Sequence, residues 1–268
     1  MSHPATPDGK ARVEIHGEPG RQWAELVLDS PPLNLFDDAM TADVTACVDS
    51  LPGLDVRAVL MRAEGKVFCA GVDVKEFLAR DPASGAALAA DYLDVVHALE
   101  ALAVPTLAVV HGLCLTIGLE LVLGCDLLWA AEEASLGLVE ATVGLTPGGG
   151  GTQRLIARAG VARAAEAVLT GATYRAAEWH AWGVVNRVLP RADLLEAARA
   201  HVAALAAGPT AAAALGKRLL RAARDGGLEA ADAITAATFG RLWTTEDLRA
   251  GCTSLLQDGP GKATFTGR

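Results

Sequence analysis

The sequence predicts an α/β body followed by a helical arm. Three observations point there. Short apolar runs of strand length alternate with helical segments through the first two-thirds of the chain, and from about Leu194 onward nearly every segment is helix-forming. Of the 268 residues, 51% are apolar and 21% charged, a balance that buries a core and does not suit a disordered chain. No short internal repeat or low-complexity linker breaks the pattern, so the length suits one sizeable domain, with room for a small appendage.

Taken in order, residues 1–10 read as a loose tail. Residues 13–15 and Trp23–Leu28 read as strands separated by the turn-rich HGEPGRQ. Residues 37–51 read as a helix with Asn34 or Asp37 available as its cap. Residues 57–62 form a third strand. VFCAGVDVKEFL then reads as a strand end, a glycine turn and a helix start. A helix over 83–102, a buried strand over 105–110, an apolar helix over 118–123 and a strand over 127–130 follow. The loop TPGGGG feeds a helix from Thr152. EAARAHVAALAA, AAAALGKRLLRAAR and the stretch from Leu228 to about Leu256 complete the arm; alanine at this density favours helix.

Charge and cysteine usage narrow the function classes. Lys and Arg number 23 and Asp and Glu 32, a net charge of −9, which argues against a nucleic-acid partner. An anionic small molecule remains open, because a few basic groups or a helix N-terminus can hold phosphate. Cys47, Cys69, Cys114, Cys125 and Cys252 are scattered and odd in number, which suits reduced thiols and a cytoplasmic location. MSHPATPDGK has no apolar core of a secretory leader. Glu120, Asp126, Glu132 and Glu133 interrupt the longest apolar runs, so no membrane span is expected. No two of the six histidines stand four apart and no GxSxG occurs, so neither an HExxH metal site nor a serine nucleophile elbow is present. No metal and no separate cofactor are expected.

Four segments carry the candidate chemistry. In Phe68-Cys69-Ala70-Gly71-Val72-Asp73, a glycine between a strand end and a helix start makes an ordinary turn or presents backbone N–H groups. In HGLCLTIGLELVLGCD, Glu120 stands one turn after the expected helix start at Thr116 and Ile117. A carboxyl in so apolar a run is either paired with a distant cation or held with a raised pKa as a general acid or base. Glu140 lies in a second apolar context, LGLVEATVG, and two such carboxyls suggest paired acid–base work. The fourth segment, TPGGGGTQR, lacks the Lys-Ser/Thr of a phosphate loop and the GxGxxG of a dinucleotide site. It reads as a tight turn into a helix beside a pocket.

In this order the four segments resemble the enoyl-CoA hydratase/isomerase family, the crotonase superfamily, from about Val13 to the C-terminus. The resemblance implies a crotonase-like spiral of ββα units with a C-terminal helical region that builds trimers, commonly paired into hexamers. It divides the chain into a tail (1–10), a spiral core with the active site (11–193) and a helical region that completes the CoA groove (194–268). It implies an oxyanion hole from the backbone N–H groups of Val72 and Ile117, with Glu120 and Glu140 as catalytic acids. Asn34, Leu35, Ala70, Asp73, Lys75, Thr116 and Gly148 would border the substrate, and Lys262 and Phe265 would reach a neighbour's CoA. The implied reaction is hydration of a 2-enoyl-CoA to a 3-hydroxyacyl-CoA, with coenzyme A entering only as part of the thioester. An enoyl-CoA isomerase or another acyl-CoA lyase or hydrolase of the superfamily is the alternative, and a catalytically silent acyl-CoA-binding subunit is the alternative of another class. The chain departs from the family where small residues are usual: it has Thr116 and Ile117 there, and His111 in place of an Asn. A stiff β-branched side chain beside the thioester raises the question of how Ile117 is housed.

Overall fold

The computed structural model describes residues 9–267, so most of the expected tail lies outside the described residues. Ala11–His16 (β1) and Trp23–Leu28 (β2) form an antiparallel pair. Asp38–Ser50 (α1) follows. Asp37 caps it by accepting the Met40 N–H at 2.8 Å, which decides between the two candidate caps. Val59–Ala63 (β3), Val74–Leu78 (α2), Pro82–Ala101 (α3) and Thr106–Val110 (β4) come next. Then come Leu113–Leu115 (β5), Ile117–Leu123 (α4), Leu127–Ala131 (β6), Ser135–Gly137 (β7) and a 3-10 turn over Glu140–Val143. Gly151–Thr170 (α5), broken at Gly160, leads to Tyr174–Arg175 (β8), Ala176–Ala181 (α6) and Arg187–Leu189 (β9). Arg191–Ala206 (α7), Thr210–Thr238 (α8), broken at Gly227, and Glu246–Asp258 (α9) end the described chain.

Two sheets organise these elements. The larger has the order β1-β2-β3-β4-β6-β9 and is parallel except for the β1–β2 pair. Strands β2, β3 and β4 are buried at every residue, as expected of parallel strands covered on both faces. Their two charged residues, Glu25 and Arg62, bond to each other, and Arg199 of α7 also donates to Glu25, at 2.6 Å. The smaller sheet is β5-β7-β8. Its strands, of two or three residues, are too short to show a period in the sequence. This sheet nevertheless positions the site: β5 ends two residues before α4 begins, and β7 ends three residues before Glu140. A parallel bridge between Cys69 and Cys114 ties the VFCAGVD segment to it.

The C-terminal helices divide differently from the expected boundary at 194. Helix α7 buries Leu194, Ala198, Val202 and Ala206 and packs on β2, β3, β4 and β6, so it belongs to the core. Its apolar face needs the sheet to cover it, and the arm proper begins with α8. Lys217 anchors α8 by donating to Asp126 Oδ2 at 2.8 Å and to Val104 O at 3.1 Å. Asp126, the last residue of HGLCLTIGLELVLGCD, also accepts the N–H and hydroxyl of Thr106 and is therefore an anchor for β4 and the arm.

Candidate active site

Glu120 lies on α4, every residue of which is buried. The glycine loop explains how a carboxylate is tolerated there. Gly151 donates its backbone N–H to Glu120 Oε1 at 2.8 Å, and the neighbouring Gly149 backbone also favours the charged carboxylate. A Cβ on Gly151 would stand 2.9 Å from Glu120 Cγ, and one on Gly149 would stand 3.2 Å from Oε2. TPGGGG is therefore a carboxylate cradle, and glycine is required because the backbone approaches so closely. Burial outweighs these backbone groups and the charge of Arg154, and pushes the Glu120 carboxyl up to about 7.

Two backbone amides sit beside it. Among the described residues, neither the Val72 nor the Ile117 N–H donates to any group, while Gly71, Asp73 and Thr116 beside them are engaged. Phe36 donates to Gly71 O and accepts from Asp73; Thr116 donates to Gly137 O and accepts from Glu120. Each unpartnered amide follows a residue at positive φ, Gly71 at 106° and Thr116 at 50°. The ladder breaks at both points, which frees the next N–H. Thr116 is β-branched and strained in this conformation. Its hydroxyl is buried without a partner and faces Gly71, where a Cβ would come within 2.7 Å. Ile117 is fully buried, and its Cδ1 fills the space that a side chain at Gly149 would need, 3.0 Å from a Cβ there. The family's missing small residue at 117 is thus offset by the glycine at 149, and the Ile117 amide stays available.

Ala70, Val72, Thr116, Ile117, Glu120, Glu140 and Gly148 line one cavity of about 360 Å³. Glu140 opens the 3-10 turn, is 7% exposed, and has an Oε2 without a partner among the described residues. Burial, opposed in part by its own backbone, and then the charge of Glu120 push its carboxyl up to about 7. The remaining walls are mostly apolar: Phe77 of α2, Leu88, Ala89 and Tyr92 of α3, and Val143 and Leu145 at the more exposed edge. These wall residues were not legible in the sequence, because they come from helices whose apolar residues read equally well as core. A larger cavity of about 640 Å³, between the end of α3 and α8, includes neither glutamate.

Other expected contacts do not gather here. Asn34 is fully buried: it donates to Glu64 O, Val67 O and Phe68 O and accepts the Ser30 N–H. Its amide holds the loop before α1 in place and is buried away from the cavity. Leu35 is half-buried beside it and outside the cavity lining. Asp73 caps α2 by accepting the Lys75 N–H at 3.1 Å, and Lys75 is exposed. Lys262 is exposed beyond α9, and Phe265 packs on Gly251 in a groove with Pro209 and Leu248. Glu14, His16 and Glu25 come together on β1 and β2, but Glu25 is committed to Arg62 and Arg199.

The sequence profile of the enoyl-CoA hydratase/isomerase family matches residues 21–266. The chain is 34% identical over 234 residues to "Probable enoyl-CoA hydratase echA8" of Mycobacterium tuberculosis, covering 87% of this chain and 90% of that one. It is 39% identical over 221 residues to "Enoyl-CoA hydratase domain-containing protein 2, mitochondrial" of Homo sapiens, covering 81% and 76%. The crystal structure of an enoyl-CoA hydratase from Bacillus anthracis superposes with a TM-score of 0.89 at 27% identity, over 97% of this chain and 100% of that one. Together with the crotonase spiral, the paired buried glutamates and the two unpartnered amides, these matches show that the chain belongs to the enoyl-CoA hydratase/isomerase family.

Proposed function

We propose that the protein hydrates a 2-enoyl-CoA thioester to a 3-hydroxyacyl-CoA. One observation carries this reading: two buried carboxyls, both pushed up to about 7, line one cavity with two unpartnered amides. Two like charges in a dry site resist ionising together, so near neutral pH the pair holds one proton and one negative charge. That state supplies both an acid and a base. With the thioester oxygen on the Val72 and Ile117 amides, Glu120 as carboxylate takes a proton from water as its oxygen bonds to C3. The C2–C3 π electrons move toward the thioester oxygen, and the enolate charge is held by the two N–H groups, each worth about 3–4 kcal/mol in such sites. Glu140 gives its proton to C2, and proton return from Glu120 resets the pair. The apolar walls suit an uncharged acyl chain.

The test follows the absorbance of crotonyl-CoA with the wild-type protein and Glu140→Gln. We expect rapid loss of the conjugated thioester with wild type and a drop of about 10²–10⁴-fold in the variant. Deuterium entering C2 without net hydration would move the reading to an isomerase or another enolate-forming member. Tight CoA binding with no turnover across a substrate panel would make the protein a silent acyl-CoA binder.

Assembly and location complete the proposal. Leu220, Leu228, Phe239, Trp243 and Leu256 are exposed apolar residues on the arm, which suits burial in a homotrimer or homohexamer. In such an assembly Lys262 and Phe265 would be placed to meet a neighbour's CoA. All five cysteines are free thiols, in keeping with a cytoplasmic location, and no described helix is long and apolar enough to cross a membrane.

A further inference from the structure

Arg154 and Glu100 are buried, at 7% and 5% exposure, behind the glycine loop and outside the proposed chemistry. Glu100, near the end of α3, accepts Arg154 Nη2 at 2.7 Å and Nε at 3.1 Å. The remaining arm of the same guanidinium donates to Gly149 O and Gly150 O at 3.3 and 3.2 Å. A Cβ on Gly150 would stand 2.1 Å from Arg154 Nη1, so the loop is shaped around this group. One residue on, Gly151 holds Glu120. From the other side, two arginines of the arm grip Glu100: Arg224 donates to its Oε1 at 2.6 Å and Arg221 to its backbone oxygen at 3.1 Å. An unbroken chain of charge-assisted hydrogen bonds therefore runs from α8 through Glu100 and Arg154 to the loop that cradles Glu120.

We propose that Arg154 is a positioning residue for Glu120, clamped by Glu100 and, through it, by Arg224 of the arm, so that docking of the arm sets the geometry of the catalytic carboxyl. The proposal rests on the reading of Glu120 as a site carboxyl but not on which reaction it serves. A fork that grips two carbonyls and one carboxylate at once cannot be replaced by a lysine point charge. When the fork is lost, the loop relaxes and the Gly151 N–H bond to Glu120 weakens. The sign follows: lysine keeps the positive charge but not the fork, and a weaker Gly151 hydrogen bond disfavours the Glu120 carboxylate, so its titration moves to higher pH. The other charged or titratable groups facing α4 are Glu140 on the 3-10 turn, Tyr92 on α3, Arg158 on α5 and the Cys69 thiol against Gly118, and the substitutions leave all four in place.

The test reads Glu120 without any substrate. The infrared stretch of protonated carboxyls is titrated in the wild-type protein, and the Glu120 band is assigned by its loss in Glu120→Gln. Arg154→Lys and, on the less buried flank, Arg224→Gln are titrated beside it, with folding checked by circular dichroism. We expect the Glu120 midpoint to rise by about one pH unit in Arg154→Lys and by less in Arg224→Gln. Turnover of crotonyl-CoA should show kcat down roughly 10- to 100-fold in Arg154→Lys with KM little changed. Unmoved midpoints in folded variants would overturn the proposal; if Arg154→Lys does not fold, Arg224→Gln alone decides. Absence of hydration by the wild type would overturn the assigned reaction while the infrared titration still decides this coupling.

Discussion

At the scale of single residues, Glu120 and Glu140 are costly to the fold. Each carboxyl sits at about 7 in the folded protein against 4.5 for an ordinary glutamate, with burial as the leading cause. A raised pKa means that the folded state binds the proton more tightly than the unfolded chain. The associated stability is therefore full below about pH 4.5, declines as the pH rises toward 7, and is lost above it. Glu120→Gln removes that decline for one group while keeping the shape. We expect the variant to match the wild type near pH 4.5 and to exceed it by roughly 2–3 kcal/mol at pH 8, measured by denaturant unfolding. An equal difference at both pH values would sink the claim that Glu120 is strained by burial. Thr116 adds a second local cost, a β-branched residue at φ 50° with an unpartnered hydroxyl, placed where the backbone must turn to release the Ile117 amide.

At the scale of elements, the glycine loop and α4 are one unit. Gly149 has no Cβ because Ile117 Cδ1 and Glu120 occupy the space, and Gly151 has none because Glu120 and Leu138 do. Gly149→Ala is expected to destabilise by about 1–3 kcal/mol through overpacking and to lower activity by displacing Glu120. Ile117→Val removes Cδ1, one of the two crowding groups, so the double variant should recover about 1 kcal/mol of stability while activity stays low. Strict additivity of the two changes would show that Ile117 and Gly149 do not share this space.

At the scale of the whole molecule, the arm and the core meet through buried polar ties rather than through a broad apolar seam. Lys217 joins Asp126, and Arg221 and Arg224 join Glu100, while the apolar residues of the arm at Leu220, Leu228 and Trp243 face outward. An outward apolar face in a chain of net charge −9 calls for a partner of the same kind. Sedimentation should give a trimer or hexamer, and Leu220→Glu with Trp243→Glu should shift it toward monomer. A wild-type monomer at micromolar concentration would remove the arm from any role in assembly.

The sequence by itself determined the strands and helices that become β1 to β4, α4 and β6, the helical character of the C-terminal third, and the family to which the four spaced segments belong, but not α6 or β9. These features are local or linear: runs of apolar residues, caps such as Asp37, and motifs read along the chain. It also placed Val72, Ile117, Glu120 and Glu140 together, but only through the resemblance. Tertiary structure decided the rest. The small second sheet has strands too short to carry a period. The helix at 194 joined the core because the sheet covers its apolar face. Asn34, a candidate contact, became a clamp on backbone carbonyls, and a glycine run became the cradle of Glu120. Glu100, Arg154 and Arg224, 54 and 124 residues apart along the chain as counted from Glu100, form one chain of hydrogen bonds. A polar side chain reveals its use only when its partners are in place, because the cost of burying charge is met by groups that the fold, and not the neighbouring sequence, brings near.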